Sequence, residues 1–456
     1  MRKIALTQRL LLNESYHEVR ETLDTHYCKL IHACGFLPIV LPYEVDFKNY
    51  FDVCRIDGVF LTGGNDLNNL CPSELSEKRD SFERELLSYC IEREIPVFGV
   101  CRGMQLIAEY FGSSLKKIEG EVNTKHTLIV NNDSFYAKYL NKLGMLSSFH
   151  NFAVDDLAQD LRVAAYNDRG VMKAIEHKKE KIFSQMWHSE REKEFNRNTI
   201  EFISDFFNFG LHEVIEIAKK AGKAVMEIYT QDFDVAYKDD NSPVTSADIK
   251  ANEIIREGLQ SISAYPIVSE EIPEPYDTRK NWRKFWLVDP LDGTKDFIAK
   301  NGAFTINIAL IDKNEPLLGV VYLPSSGDIY YAIKDGGAFK NGIKIVNTSK
   351  RIELIGTDSN FHSTPQTQAF FEKYKIKHIE RYGSSIKICK LAEGLIDVYP
   401  RLNGTKEWDT AAAHMIAIEA GCKLIDVVTK KELQYNKEDI KNNYFVACRN
   451  DLEFEI

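Results

Sequence analysis

A cysteine and a histidine in the first half of the chain have the surroundings that a nucleophile and its base require. Cys101 ends the apolar run 97–100 and precedes a helical pattern over residues 104–110, so we predict that it lies at a strand-to-helix elbow. A helix N-terminus favours the thiolate form of a cysteine. His188 follows a second apolar run, and Glu190, two residues later, is placed to orient its imidazole. This set predicts cysteine-based acyl transfer.

Two glycines flank the cysteine, in the order G-x-C-x-G. We expect Gly99 and Gly103 to permit the tight elbow, as glycines do around a serine in the G-x-S-x-G arrangement. For an isolated cysteine or histidine, a core thiol or a surface imidazole is the better explanation. The elbow and the His-x-Glu sequence occur together here, which favours the catalytic interpretation.

Acidic residues in the second half follow a pattern that suits a hard cation. Asp289 and Asp292 come directly after the apolar strand 285–288, and the turn between them lets both carboxylates converge. Glu270 follows another predicted strand, and Asp409 stands at a predicted helix start. Separated carboxylates of this kind bind Mg²⁺. Each of them alone is equally a turn former or a helix cap.

The hydrophobic pattern differs between the halves. In the first, strands alternate with helices, which predicts a mainly parallel sheet wrapped by helices. In the second, two helices precede a series of strands, which predicts layered α/β structure with mixed sheets. The predicted strands of the first half are 4–6, 38–41, 58–61 and 96–100, and its main helices are 16–34 and 79–93; the helices of the second half are 211–229, 247–259 and 410–420.

The chain has 456 residues, which exceeds the size of roughly 250–300 residues at which single cores stop growing. We therefore predict two domains, 1–208 and 209–456. Residues 208–210 contain no Pro or Ser run, so the connection is predicted to be short.

Composition excludes several classes of function. The net charge is −10 and the basic residues form no stripe, which argues against nucleic acid binding. Nine cysteines without a CxxC pair argue for a reducing compartment. No run has signal-peptide or transmembrane character. We predict a cytoplasmic protein without a membrane partner.

Three segments of the first half resemble class I glutamine amidotransferases, in the branch that hydrolyses γ-glutamyl amides. They are LTGGND at 61–66, GVCRGMQ at 99–105 and WHSE at 187–190. The resemblance implies a flavodoxin-like domain without a cofactor. It implies that Cys101 attacks the γ-carbonyl, that His188 transfers protons and that Glu190 orients His188. The family usually has His-Pro-Glu where this chain has His-Ser-Glu, but the spacing is the same.

The same resemblance assigns groups that bind the substrate. The backbone N–H groups of Gly64 and Arg102 would form an oxyanion hole, and Gln105 would help to hold the glutamyl group. The first half as a whole is similar to the γ-glutamyl-CDP-amidate hydrolases of bacterial capsule phosphoramidate synthesis. On that substrate, the side chains of Arg9, Arg102 and Arg191 could meet the diphosphate, or they are solvated surface charges. A glutaminase that supplies ammonia to a partner and a silent nucleotide-binding module stay open as alternatives.

The second half resembles the inositol monophosphatase superfamily over residues 211–456. The segments that carry the resemblance are SEE at 269–271, VDPLDGTKDF at 288–297 and WDTAA at 408–412. It implies a layered αβαβα domain and a phosphatase of small-molecule substrates that needs two or three Mg²⁺ ions and is inhibited by Li⁺. It also implies a monomer or a homodimer. Segments 242–248, 295–297 and 383–387 are closer to the 3′(2′),5′-bisphosphate nucleotidases than to the inositol phosphatases.

This resemblance also implies roles for individual residues. Asp248 and Thr294 would activate and aim the attacking water, and the N–H groups of Gly293 and Thr294 would cradle the phosphate. Ser384 and Ser385 would contact the nucleotide, or they are small residues required by a loop. The magnesium ligands would be Glu270, Asp289, the Leu291 carbonyl, Asp292 and Asp409. The substrate could be a cytidine or an adenosine 3′,5′-bisphosphate, or an inositol phosphate.

Overall fold

The structure, a computed structural model, describes residues 1–15, 17–231, 235–237 and 243–455. Tyr16, in the predicted helix 16–34, and Ser242, in the segment 242–248, lie outside the described residues. The chain divides into two compact units, Met1–Gly210 and Leu211–Ile456. Within the described ranges, no helix combines the length and the apolar character needed to cross a membrane.

The first unit contains an eight-stranded sheet with helices on its faces. Its strands are β1 (Lys3–Leu6), β2 (Arg9–Asn13), β3 (Glu18–Thr22), β4 (Leu37–Val40), β5 (Gly58–Leu61), β6 (Val97–Val100), β7 (Leu115–Lys117), β8 (Val122–His126), β9 (Ile129–Val130), β10 (Leu146–Phe149), β11 (Phe152–Val154), β12 (Leu161–Tyr166), β13 (Met172–His177) and β14 (Ile182–Gln185). Its helices are α1 (Thr25–Ala33), α2 (Lys48–Cys54), α3 (Glu74–Glu92), α4 (Arg102–Tyr110), α5 (Ala137–Leu140) and α6 (Arg197–Phe207), with a 3₁₀ turn at Ser189–Arg191.

The main sheet has the strand order β4-β1-β5-β6-β14-β13-β12-β9. Its first five strands pair in parallel, and β13, β12 and β9 extend it in antiparallel fashion. The prediction of a mainly parallel α/β domain is confirmed. Both β6 and β14 are fully buried, so their carboxyl ends bring Cys101 and the segment around His188 to the same edge of the sheet.

The predicted helix 16–34 is wrong in its first part. Strands β2 and β3 form an antiparallel hairpin, with Arg9 opposite Thr22 and Asn13 opposite Glu18. Helix α1 begins only after Asp24, whose side chain accepts a hydrogen bond from the N–H of His26 and caps the helix. Residues 18–22 are largely polar, so the pairing of their backbone with β2 decides their structure.

The second unit is layered. Its strands are β15 (Val235–Tyr237), β16 (Pro243–Thr245), β17 (Ile267–Ser269), β18 (Lys284–Asp292), β19 (Thr305–Asp312), β20 (Glu315–Leu323), β21 (Asp328–Ile333), β22 (Gly337–Lys340), β23 (Ile343–Ile345), β24 (Ile355–Ser359), β25 (His378–Tyr382), β26 (Val398–Arg401), β27 (Thr405–Lys406), β28 (Cys422–Asp426), β29 (Lys441–Asn442) and β30 (Phe445–Arg449). Its helices are α7 (Leu211–Tyr229), α8 (Ser246–Ile262), α9 (Tyr276–Arg279), α10 (Thr294–Ile298), α11 (Pro365–Lys373), α12 (Ile386–Ala392) and α13 (Glu407–Glu419).

Two sheets and three helix layers alternate in this unit. Helices α7 and α8 pack on the seven-stranded sheet β17 to β23, and α13 packs on its other face. Helix α12, beside α13, packs on the five-stranded sheet of order β25-β24-β26-β30-β28, and α11 also contacts that sheet. The predicted αβαβα layering is confirmed. Gly319 permits the central contact, because a Cβ there would lie 2.2 Å from the carbonyl oxygen of Ala412 in α13.

Candidate active sites

Cys101 lies at the predicted elbow between β6 and α4. Its backbone has φ 53° and ψ −102°, which is a strained conformation for a residue with a side chain. Its N–H donates to the carbonyl of Gln185 over 2.7 Å, so the elbow is fixed to the end of β14. The sheet therefore maintains the strained backbone conformation of Cys101. This conformation places the thiol at the first turn of α4.

The flanking glycines serve packing rather than the turn itself. Cys101 has the positive φ, and neither Gly99 nor Gly103 does. A Cβ on Gly103 would lie 2.4 Å from the carbonyl oxygen of Leu61, so the glycine lets α4 start directly against β5. These glycines therefore permit the tight elbow through close packing, not through a positive φ of their own.

His188 is buried next to the cysteine. Its Nδ1 lies 2.6 Å from Oε1 of Glu190. A Cβ built on Gly63 would lie 3.0 Å from Cε1 of His188 and 3.7 Å from Cβ of Cys101, so both side chains adjoin this glycine. Burial lowers the pKa of His188, but Cys101 and Glu190 raise it, and the balance places this pKa at about 9. The arrangement can hold an imidazolium beside a thiolate.

A cavity of about 300 Å³ opens beside this pair. The residues predicted for the oxyanion hole and for phosphate binding that line it are Gly64, Arg9 and Arg191. The guanidinium of Arg191 lies 4.7 Å from the centre of the Phe149 ring, and its Nε lies 3.7 Å from Glu190. Both arginines are solvent-accessible, so their positive charges are available at the cavity.

The side chain of Arg102 is not available to a substrate. It is 1% exposed and forms ion pairs with Asp80 and Glu83, which corrects the prediction that it meets a diphosphate. Its backbone N–H, at the first position of α4, has no acceptor within the helix and can still serve an oxyanion. The Gln105 side chain is buried and donates to the carbonyl of Phe152 over 3.2 Å.

A buried lysine near this site was not predicted. Lys173 on β13 is inaccessible to solvent, and its Nζ lies 2.5 Å from Glu121, 2.8 Å from Ser148 and 2.9 Å from Nε2 of His150. Burial lowers the pKa of Lys173, and the nearby charges of Glu121 and Cys101 act against this. The sequence of β13 does not indicate that its lysine is buried.

In the second unit, three of the predicted metal ligands converge. Side-chain oxygens of Asp289, Asp292 and Asp409 lie within 4.8 Å of one another. They come from the end of β18 and the first turn of α13, and Glu270 and Leu291 line the same cavity. The structure thus places all five predicted ligands around one cavity.

The acidic cluster has the electrostatics of a cation site. Burial, followed by the charges of Glu270 and the other carboxylates, raises the pKa of Asp289 well above its usual range. Burial and neighbouring carboxylates raise the pKa of Asp409 to about 8. Burial raises the pKa of Asp292 to about 6, although Lys387 opposes this. Such carboxylates repel one another when ionised, and a divalent cation would relieve the repulsion. The donor set, all oxygen, fits Mg²⁺.

Asp248 and Thr294 lie together at the edge of this cluster. The hydroxyl of Thr294 is 3.4 Å from Oδ1 of Asp248 and 3.3 Å from the carbonyl oxygen of Leu291. The other carboxylate oxygen of Asp248 caps α8 by accepting from the N–H of Thr245 over 2.7 Å. Burial raises the pKa of Asp248 to about 6. Gly293, in a left-handed conformation, precedes the start of α10 at Thr294.

The two serines predicted to contact the nucleotide differ from each other. Ser385 donates its N–H to Asp292 over 2.7 Å and its hydroxyl to Asn307 over 2.8 Å, so it holds the cluster in place. The hydroxyl of Ser384 is buried in the cavity lining and bonds none of the described side chains or backbone groups. Ser384 is thus the better candidate for substrate contact.

Basic residues line the same cavity as the acidic cluster, and the sequence motifs indicated only some of them. The cavity has a volume of about 510 Å³, and its lining includes the cationic side chains of Lys295, Lys387 and Arg401, together with His362. Burial, then Arg401, lowers the pKa of Lys387 to about 8 and that of His362 to about 4. Arg401 precedes the WDTAA segment by seven residues and His362 lies far from all the acidic motifs, and no local pattern indicated either of them.

Comparison with known proteins agrees with this geometry. Residues 211–453 match the inositol monophosphatase family, and residues 4–190 match the Peptidase C26 family. The 3′(2′),5′-bisphosphate nucleotidase CysQ of Escherichia coli K12 is 42% identical over 223 residues, which are 47% of this chain and 90% of that protein. The gamma-glutamyl-CDP-amidate hydrolase of Campylobacter jejuni is 38% identical over 208 residues, which are 45% of this chain and 97% of that protein.

Among solved structures, CysQ from Bacteroides thetaiotaomicron is 38% identical, with a TM-score of 0.48, over 53% of this chain and 97% of that one. The chain belongs to two hydrolase families at once, the inositol monophosphatase family through residues 211–453 and the peptidase C26 family through residues 4–190.

Proposed function

We propose that the first unit of this bifunctional hydrolase releases glutamate from a γ-glutamyl amide, with γ-glutamyl-CDP-amidate as its substrate. We propose that the second unit removes the 3′-phosphate of a nucleoside 3′,5′-bisphosphate. The single observation that carries the first assignment is the strained Cys101 beside the His188–Glu190 pair. The presence of lysine and arginine side chains in the cavity that also holds the acidic cluster carries the second.

The first site supports acyl transfer in two steps. The thiolate of Cys101 attacks the γ-carbonyl carbon, a C–S bond forms, and the carbonyl electron pair moves to the oxygen. The N–H groups of Gly64 and Arg102 stabilise that oxyanion. The C–N bond then breaks, and the nitrogen takes the proton held by His188. Water, deprotonated by His188, hydrolyses the thioester to glutamate.

The two accessible arginines of the first site favour a nucleotide amide over free glutamine as the substrate. Arg9 and Arg191 line the cavity from different segments, and the single α-carboxylate of glutamine needs only one of these guanidinium groups. A diphosphate offers the oxygens that guanidinium groups bind best. The similarity to the Campylobacter hydrolase supports the same substrate.

The second site supports a substrate with two phosphates. One phosphate would meet the acidic cluster through two or three Mg²⁺ ions held by Glu270, Asp289, Leu291 and the other two aspartates. Bound Mg²⁺ would neutralise phosphate charge and make a bound water more acidic. Asp248 and Thr294 would then orient and deprotonate the attacking water. The cavity has room for a second phosphate, and Lys295, Lys387 and Arg401 provide positive charge for it. An inositol monophosphate has no second phosphate.

The two activities have one pathway in common if the cytidine diphosphoramidate is 3′-phosphorylated before transfer. Transfer of its phosphoramidate would then leave cytidine 3′,5′-bisphosphate, which the second unit would hydrolyse. Both substrates are small molecules, and the proposal needs no nucleic acid or membrane.

Glutamate release from γ-glutamyl-CDP-amidate and from glutamine tests the first assignment. We expect a kcat/KM for the nucleotide that exceeds the value for glutamine by at least about 10²-fold, since two arginines bind the diphosphate. A preference for glutamine would instead favour a glutaminase, and no release from either would favour a silent binding module.

Phosphate release from cytidine 3′,5′-bisphosphate, adenosine 3′,5′-bisphosphate and inositol 1-phosphate tests the second assignment. We expect Mg²⁺-dependent, Li⁺-sensitive activity on the bisphosphates and little on inositol 1-phosphate. A large preference for adenosine would separate the two activities and contradict the shared pathway. A preference for inositol 1-phosphate would contradict the proposed nucleotidase.

A further inference from the structure

Four charged side chains form a buried quartet that contacts residues 62–65 of the first unit, the segment that we call the oxyanion loop. They are Arg79, Asp80 and Glu83 of α3 and Arg102 of α4. Two positive charges face two negative ones, so the quartet is neutral as a whole. Arg79 and Glu83 are 0% exposed. Burying paired charges costs free energy, so we expect the quartet to have a role other than stabilising the fold.

Arg79 binds the oxyanion loop with its guanidinium. Its Nε donates to Glu83 over 3.0 Å, and its Nη2 donates to the carbonyl of Thr62 over 2.9 Å. Its Nη1 donates to the carbonyl of Gly63 over 3.1 Å and to the side chain of Asn65 over 3.3 Å. One side chain therefore fixes two successive carbonyl groups of the loop.

The bond to Gly63 also fixes the direction of the proposed oxyanion donor. The carbonyl of Gly63 and the N–H of Gly64 belong to the same peptide unit, and the structure has no cis peptide among its described residues. In a trans peptide these two groups point in opposite directions. Because the carbonyl points at Arg79, the N–H of Gly64 points away from Arg79. Gly63 and Gly64 both line the cavity beside His188.

Glu83 connects this loop with the second proposed donor. Its Oε1 accepts from Arg79, and its Oε2 accepts from the side chain of Arg102. The backbone N–H of Arg102 is the other oxyanion donor, at the start of α4. A single carboxylate thus ties together the two segments whose N–H groups must converge on one oxygen.

We propose that Arg79, held by Glu83, is a positioning residue that aligns the two N–H donors of the oxyanion hole. This inference rests on the proposed amidase function and adds residues that no part of that function assigns. A lysine cannot replace Arg79, because one ammonium cannot span a carboxylate and two carbonyls in the planar arrangement of a guanidinium.

The test uses Arg79→Lys in the full chain with the chromogenic amide L-γ-glutamyl-p-nitroanilide. We expect kcat to fall by about 10²-fold or more, the size of effect seen when an oxyanion donor is lost, with KM changed by less than about threefold. Alkylation of Cys101 by iodoacetamide has no oxyanion, so its rate should change by less than about threefold. A purely structural role would reduce both rates together.

Two controls keep the outcome interpretable. Arg84→Lys changes another arginine of α3, whose ion pair with Glu109 is partly exposed, and it should leave kcat unchanged. If Arg79→Lys does not fold, Glu83→Gln keeps the shape of the quartet and should show the same split between kcat and alkylation. Equal losses in both rates, or an unchanged kcat, would overturn the positioning role alone. No release by the wild-type chain from this amide, glutamine or γ-glutamyl-CDP-amidate would overturn the proposed amidase and this role with it.

Discussion

The two sites balance their buried charges in opposite ways. In the first unit, the side chains of Arg79 and Arg102 pair with Asp80 and Glu83, and His188 pairs with Glu190. In the second, the carboxylates of the acidic cluster have one another as neighbours, and their pKa values are raised. These buried charges of the first unit are thus balanced by other protein groups, whereas the carboxylates of the second would be balanced by a bound cation.

The largest effect should come from Cys101→Ala. The variant has no nucleophile, so glutamate release should fall by at least about 10⁴-fold. The phosphatase activity of the same chain serves as the internal control and should not change. Measurable release at a tenth of the wild-type rate would remove the nucleophile assignment.

A second test is Asp292→Asn, which should separate activity from stability. We expect phosphate release to fall by at least about 10²-fold, since even groups behind metal ligands typically contribute 10- to 100-fold. In the presence of a chelator, however, the second unit should unfold at a higher temperature than in the wild type, because one repelling carboxylate is gone. Full activity, or a lower unfolding temperature in chelator, would contradict the role of the cluster.

Magnesium itself should stabilise only one of the two units. At 100 times its dissociation constant, Mg²⁺ should raise the free energy of unfolding of the second unit by about 2.7 kcal/mol for each ion bound. The first unit, with its charges already paired, should show no change. Loss of each activity on heating, with and without Mg²⁺, reports the two units separately. Equal stabilisation of both units by Mg²⁺ would contradict the proposed difference between the two sites.

The smallest predicted effect is the pH dependence of the first unit. The folded-state pKa of His188, about 9, lies above its ordinary value of 6.5, so its protonation stabilises the fold below pH 6.5 and this contribution is lost as the pH rises through 9. Between pH 7 and pH 9 the loss amounts to about 2 kcal/mol. Urea unfolding at both pH values measures it. His188→Gln should abolish this part of the pH dependence, and an unchanged slope would contradict the ion pair.

Much of the fold was predictable because long amphipathic patterns dominate it. The helix predicted at residues 211–229 has the bounds of α7, whose buried residues Val214, Ala218, Ala221 and Val225 recur every three or four positions. The hairpin of β2 and β3 was not predictable, since polar residues such as Glu18 and Arg20 carry no strand signal. Its structure depends on backbone pairing across a turn.

The sites were predictable where chemistry follows a local pattern. The elbow of Cys101 and the Asp289–Asp292 turn are marked by neighbouring residues in the sequence. Arg102 was misassigned because a charged residue beside a nucleophile suggests a ligand contact, whereas tertiary packing gave it two carboxylate partners. Arg79 and Glu83, four residues apart on a helix, look like an ordinary surface pair until the helix packs.

The short connection between α6 and α7 has a consequence for regulation in the cell. Only residues 208–210 separate the two helices, and both active sites belong to one polypeptide. Every translated chain therefore contributes one copy of each site. The ratio of the two catalysts is fixed at synthesis, and changes in transcription scale both together. Any independent adjustment of one activity must therefore act on the finished protein, through metal supply or through an inhibitor of one site.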